Sequence, residues 1–371
     1  MRPNAFAALC LLLSPAGCAN LQLSSPQEHQ VVQRGPANRG TLAVSGQGAA
    51  AGSVIEARVV GEKQAGGWRK LAASFEQDRF HATMEAPAGG WFRLEVRVKD
   101  GDTVIASSAV NHVGVGEVFL VAGQSNSANH GEEKLATASG RVAAFDGKKW
   151  QLCRDPQPGA SGGGGSFLPP LGDALAKRLD VPVGFIACGI GATSVREWLP
   201  EGATFPNPPT IEARVQQRPD GTWESKGEAY EMLVARMKAA GPAGFRAVLW
   251  HQGESDANQR DATRTLPGPL YRESLERVIR DSRKAIGRDA PWFVAQVSYH
   301  GPQSESSPEI RAAQASLWKD AIALEGPDSD ALKGDLREDG GKGIHFSGKG
   351  QRAHAAAWEE KIGPWLEKTV K

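Results

Sequence analysis

The sequence lacks an excess of charge of either sign, with 43 Lys and Arg against 42 Asp and Glu. Electrostatic nucleic-acid binders carry a clear basic surplus, so no nucleic-acid partner is expected. Long apolar runs are also missing. Past the first eighteen residues no segment is long and apolar enough to cross a bilayer as a helix. The eight His are scattered, with no His-Glu-x-x-His or similar ligand spacing, so neither a metal nor another cofactor is expected. Gly162–Gly165 is not followed by Gly-Lys-Ser/Thr, which argues against a phosphate loop and for a flexible rim. There is no internal repeat. Hydrophobic residues at 40% and charged residues at 23% exclude disordered, collagen-like and coiled-coil chains.

What is present begins with an export signature. Arg2 precedes the short apolar stretch Ala5–Leu13, and Pro15-Ala16-Gly17-Cys18 resembles a bacterial lipoprotein processing site with Cys18 as the lipidated residue. Residues 1–18 are therefore expected to direct export, with the mature chain periplasmic or anchored to the outer membrane, touching membrane only through Cys18. Plain secretion is the competing reading, because Pro15 stands where such sites usually have Leu. Cys10 would leave with the signal. Cys153 and Cys188 then either pair in an oxidising compartment or stay as separate buried thiols.

From about residue 28 to 115, within a domain assigned to residues 19–115, the pattern has period two. In Phe92–Lys99 apolar and charged residues alternate strictly, and Asp100-Gly101 reads as a turn into Thr103–Ala106. With weaker runs at Thr41–Val44 and Val54–Val60, this predicts a small antiparallel β-sandwich. Residues 116–371 have another texture. Val118–Ala122 is a continuous apolar run, as in a strand buried on both faces. Strands at Val181–Ala187, Phe245–Trp250 and Trp292–Val297 then alternate with helical stripes. These stripes are Leu171/Leu175/Leu179, Tyr230/Leu233/Val234/Met237, Leu275/Val278/Ile279/Ile286 and Ile310/Gln314/Leu317/Ala321/Leu324. Ser347 can cap a last helix bearing Ala355, Trp358, Ile362 and Trp365. Such alternation predicts an α/β domain with a mostly parallel sheet, its chemistry at the carboxyl ends of the strands.

Four motifs fall at those ends. Gly123-Gln124-Ser125-Asn126 follows the first buried strand, where a bend can expose the Ser125 hydroxyl. Gly189–Ser194, with Val195-Arg196-Glu197-Trp198 behind it, closes the next strand. Trp250–Asp256 packs an imidazole, an amide and two carboxylates into one turn, and Gly343–Ser347 presents His345. Together they supply a nucleophile, a base and N–H donors, the ingredients of acyl transfer.

GQSN after VFLVA, IGATS followed by a Trp, HQGESD and IHFSGKGQ resemble, over roughly residues 116–365, the SGNH-hydrolase superfamily. More narrowly, they resemble the carbohydrate acetylesterases that include sialate O-acetylesterase and the family 6 acetylxylan esterases. The resemblance implies a three-layer α/β/α domain, no metal, and an acetylated carbohydrate as substrate. It implies Ser125 as nucleophile and His345 as base. The Ser125 N–H, an N–H at Gly191-Ala192 and the Gln252 side chain become oxyanion donors. Relatives place an Asp three residues before the His, where this chain has Lys342. Glu254 is the first choice for the acid, Asp339 the second and a backbone carbonyl the third. Gln124, Asn126, Arg196 and Trp198 are candidates to touch sugar, and His251 and His300 are the rivals to His345. A neutral chain has no overall pull on an acidic sugar, so a preference for one falls to local residues such as Arg196. The reading from another class is a non-catalytic glycan-binding lipoprotein on an esterase fold, which Lys342 favours.

Overall fold

The alternating N-terminal residues fold into two sheets around one core. The computed structural model describes residues 21–61, 65–241 and 244–369; residues 1–18, with Cys18, lie outside them. The strands are β1 (Gln22–Ser25), β2 (Val31–Gln33), β3 (Arg39–Gln47), β4 (Val54–Val60), β5 (Arg69–Lys70), β6 (Ser74–Glu76), β7 (Arg79–Pro87), β8 (Gly89–Asp100) and β9 (Thr103–Gly123). One sheet runs β1-β3-β7-β6, all antiparallel. The other gathers β5, β4 and β8 beside the first half of β9, which β2 also joins. Every second residue of β7 is buried, and Leu42, Val44, Phe80 and Met84 meet Ile55, Leu94, Val96, Val98 and Val113 in one cluster. The Asp100-Gly101 turn forms as the sequence predicts, with Asp100 opposite Thr103 and Gly101 in the left-handed region.

β9 does not stop where the alternation ends. It continues across residues 115–116 as one 21-residue strand and becomes the middle of the second sheet. This sheet is completed by β10 (Val142–Phe145), β11 (Trp150–Leu152), β12 (Val183–Ala187), β16 (Ala247–His251), β17 (Trp292–Gln296) and β18 (Leu324–Asp328). Their order is β11-β10-β12-β9-β16-β17-β18, parallel except for β11. Between β12 and β16 a small antiparallel sheet, β13 (Thr204–Phe205), β14 (Val215–Gln217) and β15 (Trp223–Ser225), is inserted; the sequence reading did not foresee it.

The helices are α1 (Leu168–Leu179), α2 (Glu228–Ala239), α3 (Gly268–Ile286), α4 (Pro308–Lys319), the one-turn α5 (Glu338–Gly341) and α6 (Gly348–Thr369). Period two in β9 sorts them to two faces. Val118, Leu120 and Ala122 pack with residues of α2, α3 and α4, while Phe119 and Val121 pack with α1 and α6. The four predicted helical stripes and the last helix form; Ser347 Oγ accepts from the Gly350 N–H at its start. One boundary differs. Ala321 and Leu324 are not on α4, which ends at Lys319; Ala321 turns the chain at φ 55° and Leu324 opens β18. Cys153 and Cys188 are free and buried. Burial pushes the Cys188 thiol up to about 12 and Cys153 higher still. Among the described residues no helix is long and apolar enough to cross a membrane.

Because β12 and β16 flank β9 on opposite sides, the sheet order reverses at β9. A crevice opens at such a switch point, beyond the carboxyl ends of the strands. Ser125 lies two residues past the end of β9.

Candidate active site

Ser125 begins a single 3-10 turn, Ser125–Ser127. Gly123 before it has φ 124°, and a Cβ there would run into the His251 carbonyl oxygen, so the close approach of β9 and β16 requires glycine. Backbone bonds fasten the neighbouring motif loops to this bend. Gln124 N–H donates to the His251 carbonyl at 2.9 Å, and Ile190 N–H donates to the Gly123 carbonyl at 2.9 Å.

A cavity of about 620 Å³ opens above the bend. Its wall brings together Ser125, Gln124, Gly191, Ala192, Glu254, His300 and His345, all singled out in the sequence, with His130, Ser161, Thr210, Ile211, Arg214 and Gln259. Among the described residues no hydrogen bond joins Ser125 Oγ to the His345 ring, and nothing accepts from the Ser125 N–H. Gly191 N–H points to the same region, donating to Ser161 Oγ at 2.6 Å.

The carboxylate beside His345 is neither Glu254 nor Asp339. Glu338 Oε1 lies 2.7 Å from His345 Nδ1 and also accepts from the His345 N–H at 3.0 Å. A pinch in the chain makes this contact: Arg337 bridges Phe346, and Glu338 N–H donates to the His345 carbonyl at 3.0 Å. Asp339 stands exposed at φ 54° in the turn between them, and Lys342 is exposed as well. Glu338 stands seven residues before His345, outside the three-residue rule; Asp339-Gly340-Gly341 marks a turn between them, but only the Arg337–Phe346 bridge brings the carboxylate to the imidazole.

Glu254 is buried and accepts from Asn126 Nδ2 at 3.0 Å. Its carboxylate lies 3.9 Å from His251 Nδ1. Burial raises its carboxyl to about 7, so it is largely protonated below neutrality. His251 lies beneath the cavity with Nε2 3.0 Å from Ser329 Oγ, and burial lowers its pKa to about 3. It stays neutral and off the cavity wall. His300 does line the cavity, with Nδ1 3.2 Å from the Glu254 carbonyl. His130, which the sequence reading did not single out, packs against His345 at 5.3 Å between ring centroids. Burial, then the His345 charge, holds its pKa below the ordinary imidazole value.

Three expectations change in kind. Gln252 is fully buried away from the cavity. Its Nε2 donates to Asp256 at 2.6 Å, the Thr193 carbonyl at 3.1 Å and Gln124 Oε1 at 3.2 Å, so it braces loops and does not face an oxyanion. Arg196 is likewise buried, donating to Ser194, Asp256 and the carbonyls of Asn207 and Arg264. Trp198 is a core side chain whose Nε1–H donates to Thr193 Oγ1 at 2.9 Å. A short motif shows which residues occur, whereas burial depends on what packs over them, which for Arg196 and Trp198 includes the 199–227 segment. Gln124 and Asn126 also hold loops. Gln124 Oε1 accepts from the N–H groups of Gly253 and Ser255, and Asn126 Nδ2 reaches the Ile344 carbonyl at 3.3 Å. The inserted segment supplies Arg214, the one Lys or Arg on the described cavity wall. Among the described residues its only carboxylate partner within 4 Å is Glu197, 3.5 Å away.

Residues 115–361 match the model of a family described as carbohydrate esterase, sialic acid-specific acetylesterase. No curated protein matches the chain. Among solved structures, a carbohydrate acetylesterase from Xanthomonas citri aligns with a TM-score of 0.54 at 18% identity, over 92% of this chain and 76% of that one. A protein from Arabidopsis thaliana aligns with a TM-score of 0.46 at 16% identity, over 69% of this chain and 99% of that one. The likeness to the first is one of fold.

Proposed function

Since the chain belongs to the sialic acid-specific acetylesterase family of carbohydrate esterases, we propose that it removes O-acetyl groups from sugars through an acyl-enzyme on Ser125. The observation that carries this mechanism is the His345–Glu338 pair at 2.7 Å on the wall of the cavity that Ser125 also lines.

Ser125 Oγ attacks the acetyl carbonyl carbon while its proton passes to His345, whose imidazolium the Glu338 carboxylate orients and stabilises. The oxyanion is held by the Ser125 N–H and by the Gly191 N–H, where it replaces the Ser161 hydroxyl. The sugar–oxygen bond to the acetyl carbon breaks, and the proton on His345 goes to the departing sugar oxygen. Water, deprotonated by His345, then attacks the acetyl carbon; its bond to Ser125 Oγ breaks, the proton passes from His345 back to Oγ, and acetate leaves. In this reading the catalytic half is an SGNH-type α/β/α domain, the N-terminal half a β-sandwich, and the chain is exported and anchored through Cys18.

For the substrate we favour an O-acetylated sialic acid over acetylated xylan. Arg214 supports this, as a cavity cation whose single loose carboxylate partner leaves donors for a sugar carboxylate. Lys342, the feature behind the non-catalytic reading, weighs less beside a Glu338 carboxylate 2.7 Å from His345 Nδ1. Acetate release from an aryl acetate, from acetylated sialic acid and from acetylated xylo-oligosaccharides should be measured for the purified chain and for Ser125→Ala. We expect turnover in the first and loss of at least about 10³-fold in the second. Undiminished release by the variant would remove the acyl-enzyme, and release from xylo-oligosaccharides alone would reassign the substrate.

A further inference from the structure

Away from the cavity, a second group of imidazoles sits where the two halves of the chain meet. His29 lies with Glu28 in the turn between β1 and β2, and His112 lies on β9. Glu28 Oε1 is 2.9 Å from His112 Nδ1. The two imidazoles stack with centroids 4.8 Å apart and planes 3° from parallel, and the Trp91 ring meets both edge-on at 5.8 and 6.3 Å. One ligand atom from each of Glu28, His29 and His112 falls within 4.8 Å of the others.

The backbone is held in an unusual way to achieve this. His29 has φ 61° and His112 has φ 53°. The left-handed conformation is disfavoured for a residue bearing a Cβ, which crowds the following carbonyl oxygen. Two such residues meeting ring to ring are an outlier of the kind that collects at ligand sites. The surrounding turn is firmly placed. Gly114 N–H donates to the Gln30 carbonyl at 2.9 Å. Gln27 Nε2 donates to the Lys148 carbonyl at 2.8 Å and Gln27 Oε1 accepts from the Trp150 N–H at 2.9 Å. Trp91 Nε1–H donates to the Gly140 carbonyl at 2.7 Å. The cluster thus lies on a seam fastened from both sides.

We propose that Glu28, His29 and His112 bind a first-row transition-metal ion of the zinc type and that the bound ion clamps the β1–β2 turn to β9. Two imidazoles with one carboxylate suit zinc, copper or nickel, whereas calcium and magnesium want oxygen ligands throughout. In a tetrahedral zinc site, bonds of about 2.1 Å put neighbouring ligand atoms about 3.4 Å apart. Glu28 and His112 are already inside that separation at 2.9 Å, and joint ligation requires the His29 ring, whose ligand atom is within 4.8 Å of theirs, to tilt out of its parallel stack on His112. Solvent access leaves water for the remaining coordination. The ion would stand apart from ester hydrolysis, with a structural role at the seam.

The test is calorimetric titration of zinc chloride into the purified chain after dialysis against a chelator, paired with Tm in the presence and absence of zinc. His29→Asn and His112→Asn are the variants, because Asn tolerates the same backbone conformation. Their aryl-acetate turnover should match the wild type, which reports that they fold. The wild type should bind one equivalent at this site and gain several degrees in Tm. Each variant should lose affinity by about 10- to 100-fold or more, the cost of losing even a supporting partner of a metal ligand, and the double variant should lose the Tm gain. Equally tight binding and an equal Tm gain in the double variant would overturn the proposal. So would the absence of zinc binding in the wild type at concentrations up to about 1 mM. Zinc taken up by the His130–His345 pair would reduce turnover in wild type and variants alike, and is told apart by that inhibition.

Discussion

Glu254 and Glu338 are the same chemical group in different surroundings, and the difference assigns their work. Glu338 is partly exposed and already against an imidazole, whereas Glu254 is buried with one amide donor. Glu338→Gln should lower kcat by about 10²–10⁴ with a much smaller change in KM. Asp339→Asn and Glu254→Gln should stay within about tenfold of the wild type. Wild-type turnover in Glu338→Gln would leave His345 acting without an acid. Glu254 makes its own prediction about pH. Its carboxyl rises from 4.5 to about 7 through burial. The native state therefore keeps a proton that the unfolded chain releases, and the resulting stability is present below pH 4.5 and lost as pH rises through 7. Glu254→Gln has no such proton to lose. Its stability relative to wild type, read from denaturant unfolding, should grow by about 1–3 kcal/mol between pH 4.5 and 7 and then level off. A difference that stays flat over that range would place the Glu254 carboxyl near its ordinary value.

The strands and helices were largely legible because each carries its period on its surface. Alternation in Phe92–Lys99 and the 3.6-residue stripe of Leu275, Val278 and Ile279 needed no tertiary information. The end of α4 was hidden because Ala321 and Leu324 continue the apolar phase of Ile310 and Leu317, while the break comes from an Ala at positive φ without the usual Gly. The acid was hidden for a related reason. Sequence separation alone did not reveal that Arg337 and Phe346 pair and fold Glu338 onto His345. Ser125 and His345 could be chosen because a nucleophile and a base are rare chemistry at strand ends, whereas Gln252 and Arg196 looked equally functional until their burial was known. The tight junction of β9 with β16 gives a test at this level. Gly123→Ala must either displace the His251 carbonyl or relax from φ 124°. It should cost about 2–4 kcal/mol of stability and lower turnover by moving Ser125. Unchanged melting and kinetics would show that the bend accommodates a side chain.

At the scale of the whole molecule the halves are joined by buried charge as well as by β9. Glu117, fully buried on β9, accepts from Arg34 Nε at 2.5 Å, from Gln33 Nε2 at 2.9 Å and from Arg246 Nε at 2.7 Å. Arg34 comes from the N-terminal half and Arg246 from the segment entering β16. Glu117→Ala would strand both guanidinium groups, and removing one partner of a buried pair costs about 3–5 kcal/mol. A single cooperative transition shifted down by that amount is the expected melting behaviour. An unchanged midpoint would mean that solvent or other groups replace the carboxylate.

One strand shared by two sheets also orders events in time. As the chain is synthesised, the N-terminal strands emerge first and can close around Phe80 and Leu94 before the catalytic half exists. The far end of β9 is then held out as a ready edge, and β10, β12 and β16 arrive later to pair with it or line up beside it. The place of Ser125, two residues past β9, is thus tied to the earlier-made half of the chain, whereas Glu338 and His345 come from its last segment.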